Sequence, residues 1–451
     1  MNGIDSPTES HQHFHRPVQL AALEEHLSDA EIEMICRQLG HKWRNRELPP
    51  GITVRSLIYR SLHPDKSINA TLADLAAARQ GDRSEVTDSA WCQARSRLPE
   101  ELLGILIGRS DERLAGMVGK EYFCWGRPIF IGDGSTVSTE DTPDLVEAFG
   151  YAKTKHGPSR FPVARITFLI RAGAESIFDY RIGPYRTSEE AQLSEMRNHI
   201  PRRSIFICDR KFGSFYILAK FRQRRIDMIV PLHQRRDPGK LISQGKAIGK
   251  DEWIVTLDLA KQLRNKYDDP SLPKHLKVRL IRVRYRKDGK WTTLWLVTTL
   301  LDAERYRRRD IVALYRKRWG VETRIGSVKT TLEMDVLRSK SAKAVRYEVT
   351  ATLLAHNLTW TVIHQAAKRT ETPADRISFA GAIKTILAFS SRLQVAEGST
   401  RARLYNRMLD HVASNTNLYR PGRVEPRLVK RDRRRYGFLK IPRQQAREGL
   451  T

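Results

Sequence analysis

The sequence is poor in cysteine and contains no long apolar run. Its 451 residues include 4 cysteines, which lie far apart and lack the paired spacing of zinc ligands: Cys36, Cys92, Cys124 and Cys208. This usage excludes a disulfide-stapled fold and favours a reducing compartment. Because no stretch of about 18 apolar residues, no secretory signal pattern and no lipidation motif is present, we expect no membrane partner.

Acidic residues are scarce relative to basic ones. The chain has 51 Asp and Glu against 80 Lys and Arg, which gives a formal net charge of +29. This excess indicates a polyanionic partner, most simply a nucleic acid, with an anionic membrane surface as the alternative. Hydrophobic residues make up 40% of the chain, enough for a folded protein of two or three domains.

The order of the patterns predicts an α+β (mixed α/β) protein in three parts. Residues 1–118 are predicted to be a helical N-terminal domain. Residues 119–375 follow as a sheet domain with a β-rich insertion at about 225–302. Residues 376–451 are predicted to be helical and to end in a basic tail, which is either a solvated segment or an arm that tracks a nucleic-acid groove.

The helical N-terminal part has its own basic edge. Ser28 begins one predicted helix, and a later one carries Trp91, Arg95 and Arg97. Two interpretations stay open here. The domain either reads DNA ends, with a helix in a groove, or is a packing domain with solvated arginines.

Two short apolar runs each lead to an aspartate. Residues 127–132 precede Asp133, and residues 204–208 precede Asp209. Each run predicts a buried strand whose last residue presents a carboxylate. Either aspartate alone is equally well explained as a turn residue. Two of them, followed by Glu322 on a later helix, form a more specific pattern.

The predicted insertion alternates apolar and basic side chains. Arg279, Arg282, Arg284 and Arg286 lie along one of its strands, before a hairpin turn at 287–290. Such a row of arginines can track a phosphate backbone.

A helix over residues 315–329 would carry a polar row beside an apolar stripe. At about 100° per residue, Tyr315, Arg318, Glu322 and Lys329 fall within an arc of about 60°. The simpler interpretation is a solvated helix face with an ion pair between Arg318 and Glu322.

Three carboxylates in one place are suited to metal-assisted phosphate chemistry. They would supply hard oxygen donors for two Mg²⁺ ions, with Mn²⁺ as an alternative. Two such ions activate a nucleophile and stabilise the leaving oxygen of an in-line phosphoryl transfer. Arg318 and Lys329 would hold non-bridging phosphate oxygens, and Tyr315 would bond a phosphate or stack.

These motifs resemble those of the DDE transposases of bacterial insertion-sequence family four, which have a ribonuclease-H-like catalytic core. The spacing Tyr-x2-Arg-x3-Glu-x6-Lys is complete at Tyr315, Arg318, Glu322 and Lys329. Asp-Gly-Ser-Thr at 133–136 is similar to the family's first catalytic block. The resemblance covers about 120–443.

The second catalytic block is similar with one departure. It reads Asp209, Arg210, Lys211, Phe212 and Gly213, where Lys211 replaces a small residue. The tail at 423–431 also resembles the family's C-terminal segment.

The resemblance implies cut-and-paste transposition through a DNA hairpin. Asp133, Asp209 and Glu322 would be both the catalytic residues and the metal ligands. The partners would be double-stranded DNA, as the element's terminal inverted repeats and the target, bound by a homodimer in the bacterial cytoplasm at the nucleoid. The implied DNA contacts are Tyr315, Arg318, Lys329, Arg210, Lys211 and Trp295.

Trp295 is the aromatic residue that the resemblance implies for hairpin formation. It lies 20 residues before Tyr315 and would stack on a base displaced from the bent DNA end. The alternative is an ordinary aromatic strand residue packed in the sheet.

Two other functions remain open at the level of sequence. A ribonuclease-H-like nuclease or resolvase would use the same metals without strand transfer. A catalytically silent DNA-binding protein descended from a transposase would have lost a carboxylate, and none of the three is missing.

Overall fold

A computed structural model describes residues 20–44, 46–77, 86–119, 123–155, 157–287, 289–335 and 337–417, together with 445 and 448. For 287 and 319–327 it describes the backbone and not the side chains. The basic tail predicted at 420–443 lies outside the described residues.

Within the described residues, the N-terminal part has five α-helices: α1 (Asp29–Gln38), α2 (Pro50–Leu62), α3 (Ile68–Ala77), α4 (Asp88–Arg97) and α5 (Glu100–Met117). Their starts follow the capping residues. Ser28 Oγ accepts the N–H of Glu31 at 3.2 Å, and Thr87 Oγ1 accepts the N–H of Ala90 at 3.2 Å. These bonds satisfy donors that the first helical turn leaves unpaired, so the helix predicted after Ser28 is confirmed.

The strands of the described chain form one sheet of ten: β1 (Ile129–Ser138), β2 (Tyr151–Thr154), β3 (Gly157–Arg171), β4 (Ser176–Pro184), β5 (Ile205–Cys208), β6 (Asp227–Pro231), β7 (Lys246–Gly249), β8 (Glu252–Asp258), β9 (His275–Lys287) and β10 (Lys290–Thr298). Their order is β2-β3-β1-β5-β6-β10-β9-β8-β7, and β4 pairs with β3. The strand β3 is antiparallel to β1, while β5 and β6 run parallel to it. This mixed sheet confirms the predicted fold class, a mixed α/β protein with a ribonuclease-H-like core.

The remaining helices lie between and after the strands: α6 (Pro143–Phe149), α7 (Glu189–Met196), α8 (Phe215–Gln223), α9 (Pro238–Ser243), α10 (Lys261–Tyr267), α11 (Arg308–Thr331), α12 (Ala342–Thr370), α13 (Phe379–Val395) and α14 (Gly398–Ser414). The helix predicted over 315–329 is confirmed as part of α11.

Alternate residues of the strands separate two hydrophobic cores. Ile131 in β1 and Ile207 in β5 belong to a core that includes α11, α12 and the N-terminal helices. Phe130 and Phe206 belong to a second core, on the side of α7 and α8. Because side chains of a strand alternate between faces, a residue's place in this pattern tells which helices it meets.

The helix α12 joins the N-terminal helices to the sheet. It packs against α2, α5 and β4. Its buried Asn357 accepts the N–H of Ile177 at 2.7 Å, and donates to the carbonyl of Ile177 at 3.0 Å and to Ser110 Oγ at 2.8 Å. These bonds satisfy a buried amide and fix α5, β4 and α12 to one another. The predicted domain boundaries stay predictions.

The strands of the predicted insertion extend the central sheet. Residues of β10 pair with β6, where Val297 lies opposite Val230, and β9, β8 and β7 follow in order. Arg279 in β9 does not track a phosphate backbone as expected, because its side chain is fully buried, bonded to Glu252 and donating to the carbonyl of Tyr306 at 2.7 Å. Arg284 and Arg286 are exposed.

None of the helices in the described part of the chain combines the length and apolar character that a membrane span requires.

Candidate active site

Asp133 and Asp209 lie side by side at the end of the parallel strands. The paired register of β1 and β5 ends with Gly132 opposite Cys208, and each aspartate is the next residue. Neighbouring strands are about 4.8 Å apart, so the two carboxylates start from adjacent backbone positions. Burial raises the pKa of the Cys208 thiol well above its ordinary value, and the charges of Asp209 and Asp133 both add to that shift.

The two aspartates face α11. Asp133 follows the alternation of Ile129 and Ile131, and Asp209 follows that of Ile205 and Ile207, which all belong to the core on the α11 side. The helix α11 crosses β1, β5 and β6. Its residues therefore meet the carboxylates over the end of the parallel pair.

The prediction that Asp133 ends its strand is wrong. The strand β1 continues to Ser138, and Asp133 pairs with Phe168 of β3. On the other edge of β1, the pairing with β5 ends at Gly132. The chain leaves β5 at Asp209 and enters a short 3-10 helix there. The backbone of Asp133 thus pairs with β3 on one edge of β1. Asp209 lies one residue beyond the end of β5, so the strand end predicted there agrees to within one residue.

Two glycines flank Asp133 because the sheet leaves no room for a side chain there. A Cβ at Gly132 would lie 2.4 Å from Phe206 Cζ, and one at Gly134 would lie 2.3 Å from Glu189 Cδ. The N–H of Gly134 also donates to Asp133 Oδ1 at 2.9 Å. Close packing under both neighbours therefore fixes the backbone that presents Asp133.

Tyr315 and Arg318 lie beside Asp209. Both side chains are buried, and the guanidinium carbon of Arg318 is 5.7 Å from the centre of the Tyr315 ring. Burial raises the pKa of Tyr315 to about 12, against the opposing charge and hydrogen bond of Arg318. A ring that is 4% exposed favours the contact with Arg318 over stacking on DNA, and the DNA-binding role of Tyr315 stays a prediction.

The carboxyl of Asp209 is partly buried and lies near charges of both signs. Burial raises the pKa of its carboxyl, and the charge of Glu189 raises it further. The N–H of Lys211, which donates to Asp209 Oδ1 at 2.8 Å, and the charges of Lys211 and Arg318 oppose the shift. Arg318 is therefore placed to neutralise the Asp209 end of the site.

Lys329 lies at the other end, beside Asp133. Its Nζ donates to the carbonyl of Thr136 at 2.9 Å, so β1 holds the side chain. Burial lowers the pKa of Lys329, and the charges of Asp335 and Asp133 oppose that shift. The structure thus brings Arg318 and Lys329 to opposite ends of the aspartate pair.

Glu322 is on α11, between Arg318 and Lys329 in the chain. Its side chain falls outside the described residues. The backbone of the helix puts the residue on the stretch that crosses the parallel strands.

Glu189 is a site residue that sequence reasoning missed. It is the first residue of α7, 7% exposed, and lies against Gly134 on the face opposite Asp133. Its Oε1 is 2.7 Å from Arg165 Nη1 and 3.3 Å from Lys211 Nζ. Its partners are 22 and 24 residues away, and only its place in the first turn after Ser188 gave a local signal.

The predicted DNA contacts outside α11 fall into two groups. Arg210 and Lys211 are exposed on the 3-10 helix after Asp209. Trp295 belongs instead to the face of the α7 and α8 core, opposite the aspartates. Its ring lies 5.9 Å from that of Trp253, and Arg282 lies over both. This geometry favours the packing alternative, and the base-stacking role stays a prediction.

The chemistry of the described carboxylates fits a divalent cation. Two oxygen-donor side chains lie together, and carboxylate oxygens are the donors that hard divalent cations prefer. Among the side chains that the structure describes, no three His, Cys, Asp or Glu come together as a metal site. The predicted third ligand, Glu322, is outside that set.

The sequence is similar to those of known proteins. Over residues 125–358, just over half of the chain, the sequence matches the family described as Transposase DDE domain. It is 24% identical, over 395 residues and 86% of each chain, to "Transposase InsG for insertion sequence element IS4" of Escherichia coli (strain K12). It is 27% identical over 202 residues, 44% of this chain and 67% of the relative, to "Putative transposase InsZ" of the same organism.

One solved structure is similar at a low level. The cryo-EM structure of the piggyBac transposase synaptic complex with hairpin DNA has a TM-score of 0.45 at 10% identity, over 92% of this chain and 88% of that chain. The sequence match confirms the resemblance to insertion-sequence family four, and the chain belongs to the family of transposases with the DDE domain.

Proposed function

We propose that this transposase cuts the ends of its own element and joins the freed 3′ ends to target DNA. The observation that carries this proposal is the placement of Asp133 and Asp209 side by side under the helix that bears Glu322. Nicking and joining are both in-line displacements at phosphorus, so one carboxylate site would serve both steps.

Asp133, Asp209 and Glu322 would hold the divalent ions, two Mg²⁺ or Mn²⁺. When bound, these ions would activate the attacking oxygen and stabilise the leaving one. The chain's own contribution is to hold the carboxylates rigidly, through the packed glycines beside Asp133 and the Lys211 N–H at Asp209.

The basic residues of α11 would orient the phosphate. Arg318 has planar donors that suit non-bridging phosphate oxygens, and its guanidinium packs over the ring of Tyr315. Lys329 would contribute a second positive charge at the Asp133 end. Because both cations are fixed before DNA arrives, little ordering is needed on binding.

DNA binding beyond the site would rest on the exposed positive surface. The net charge of +29 and the exposed Arg210 and Lys211 favour contact with phosphates. By resemblance to the family, the DNA would be the terminal inverted repeats and the target, bound by a homodimer. The hairpin route rests on the same resemblance, since Trp295 lies away from the catalytic face.

A cleavage assay with defined DNA tests the proposal. A duplex with the element's terminal repeat is incubated with Mg²⁺ and the wild-type protein, or with Asp133→Ala, Asp209→Ala or Glu322→Ala. We expect each variant to bind the duplex and fail to cut it. Undiminished cleavage by Asp209→Ala would remove the assignment of that residue.

The products separate the alternative functions. Joined end and plasmid DNA supports the transposase, nicked ends without joining favour a nuclease or resolvase, and binding without any cleavage by the wild-type protein favours a silent DNA-binding protein.

A further inference from the structure

A cavity of about 440 Å³ lies between the N-terminal helices and the end of α11. Its size is in the range of small-ligand sites, roughly 300–1,000 Å³. Both walls carry charged side chains. Those that matter here are Arg60, Arg95, Lys329, Arg338, Glu333 and Glu348.

Arg60 of α2 and Arg95 of α4 are fixed over one aromatic ring. Their guanidinium carbons lie 5.3 Å and 5.0 Å from the centre of the Trp91 ring. Trp91 is fully buried, and its Nε1 donates to Ser56 Oγ at 2.7 Å, so the ring cannot turn. The two guanidiniums therefore hold their place through the ring rather than through an anion.

Neither arginine has a carboxylate partner in the described chain. No carboxylate oxygen of the described residues lies within 4.0 Å of either guanidinium, and the buried Nε of Arg60 has no hydrogen-bond acceptor. Burial lowers the pKa of Arg60, with Glu348 opposing and the charges of Arg338 and Arg95 adding to the shift. A desolvated donor with cations for neighbours is an incomplete anion site.

The acidic residues of the cavity are occupied or exposed. Glu348 accepts the backbone N–H of Arg338 at 3.1 Å and of Ser339 at 2.9 Å, so it caps the turn before α12. Glu333 is exposed. The guanidinium of Arg338, which donates to the carbonyl of Lys66 at 3.1 Å, lies between this turn and the N-terminal helices.

Lys329 links the cavity to the carboxylates. It lines the cavity, and its Nζ donates a hydrogen bond to the carbonyl of Thr136 in β1. It also interacts electrostatically with the carboxylate of Asp133. A DNA strand with one phosphate at the aspartates would have a nearby phosphate beside Lys329.

We propose that this cavity binds a backbone phosphate of the DNA strand that enters the active site, through Arg60 and Arg95. The ligand class is a phosphodiester, and the inference rests on the proposed function. The N-terminal helices would then supply part of the track that aligns the scissile bond, since planar guanidiniums with free N–H groups match phosphate oxygens.

The test pairs each arginine with single phosphates of the DNA. Duplexes with the terminal repeat carry one neutral methylphosphonate at a time near the cleavage point, and binding is measured by fluorescence anisotropy. At the contacted phosphate, we expect neutralisation to weaken wild-type binding about tenfold. The same neutralisation should cost less than about twofold in Arg60→Gln or Arg95→Gln, because the contact is already lost.

Matched variants keep the result decisive. Arg407→Gln removes the same charge from an exposed position of α14, and its effect should add to that of every methylphosphonate. Arg60→Lys keeps a positive charge over Trp91. It should therefore retain part of the coupling, that is, of the difference between the effect of the methylphosphonate on the wild type and on the arginine variant. Thermal unfolding of each variant checks folding, and Arg95→Gln serves if Arg60→Gln does not fold.

Strict additivity at every phosphate for both arginines would overturn the cavity site. Cleavage of the unmodified duplex is measured in parallel. Coupling without cleavage would leave the phosphate site standing and remove the proposed function, whereas cleavage without coupling would do the reverse.

Discussion

Replacing Gly134 with alanine would put a methyl group into space already filled by Glu189. The new Cβ would lie 2.3 Å from Glu189 Cδ and 2.7 Å from its Oε2. Glu189 is 7% exposed and pairs with Arg165 at 2.7 Å, so moving it aside would break a mostly buried ion pair. Overpacking costs about 1–3 kcal/mol, and we expect the free energy of unfolding to fall by about that amount.

Two further variants isolate the cause. Gly104→Ala in α5 meets nothing within 4 Å, so alanine there should raise stability by about 0.5–1 kcal/mol. Glu189→Ala makes room for the methyl group, so the double variant with Gly134→Ala should cost less than the sum of the single changes. Urea unfolding with a chelator present compares the wild-type protein with these three single variants and the double variant. Simple additivity, or wild-type stability in Gly134→Ala, would refute the close packing of α7 on β1.

Gly134→Ala should also slow DNA cleavage. The N–H of Gly134 donates to Asp133 Oδ1, so a displaced backbone moves the carboxylate. A misplacement of about 1 Å costs on the order of 100-fold in rate, which is the loss of cleavage we expect in Gly134→Ala. Binding of the DNA end, measured beside it, should stay near the wild-type level.

Three other predictions follow from charge and packing. The folded protein raises the pKa of Asp209, so ionisation of this carboxyl opposes folding at neutral pH. Asp209→Asn should therefore be more stable than the wild type at neutral pH with a chelator present. The difference should vanish below the pKa of the carboxyl in the unfolded chain, about 3.9, because the folded and the unfolded protein are then both protonated there. DNA affinity should fall steeply with salt, and removing residues 420–451 should reduce the slope of log Kd against log salt, whereas an unchanged slope would make the tail a bystander. If Trp295 only packs with Trp253, alanine at either position should cost about 2–3 kcal/mol of unfolding free energy without blocking one cleavage step. A stall at the hairpin in Trp295→Ala alone, relieved by an abasic nucleotide, would restore the base-stacking role.

Local patterns predicted what depends on local physics. The spacing of Tyr315, Arg318 and Lys329 gave a helix face, and the structure has all three on α11 beside the aspartates. The apolar run before Asp209 gave a buried strand, and β5 ends one residue before it. Helical and strand periodicities act within a few residues, so they are visible in one sequence.

What depends on distant partners could not be predicted. Arg279 and Arg284 look alike in the alternating strand, but one is buried against Glu252 and the other is exposed. Glu189 becomes a site residue only because β1 brings Gly134 under it. The face of the sheet on which the Trp295 side chain lies depends on the register of β10 against β6, and no local sequence pattern fixes that register.

The shared hydrophobic core has a consequence for synthesis. The helix α2 ends at Leu62, but its packing partner α12 begins only at Ala342. At about 5–20 residues per second, a ribosome needs roughly 15–60 s to make the chain between them. During this time the apolar face of α2 that packs against α12 stays exposed to solvent. A truncated copy that stops before α12 would therefore be an aggregation-prone fragment.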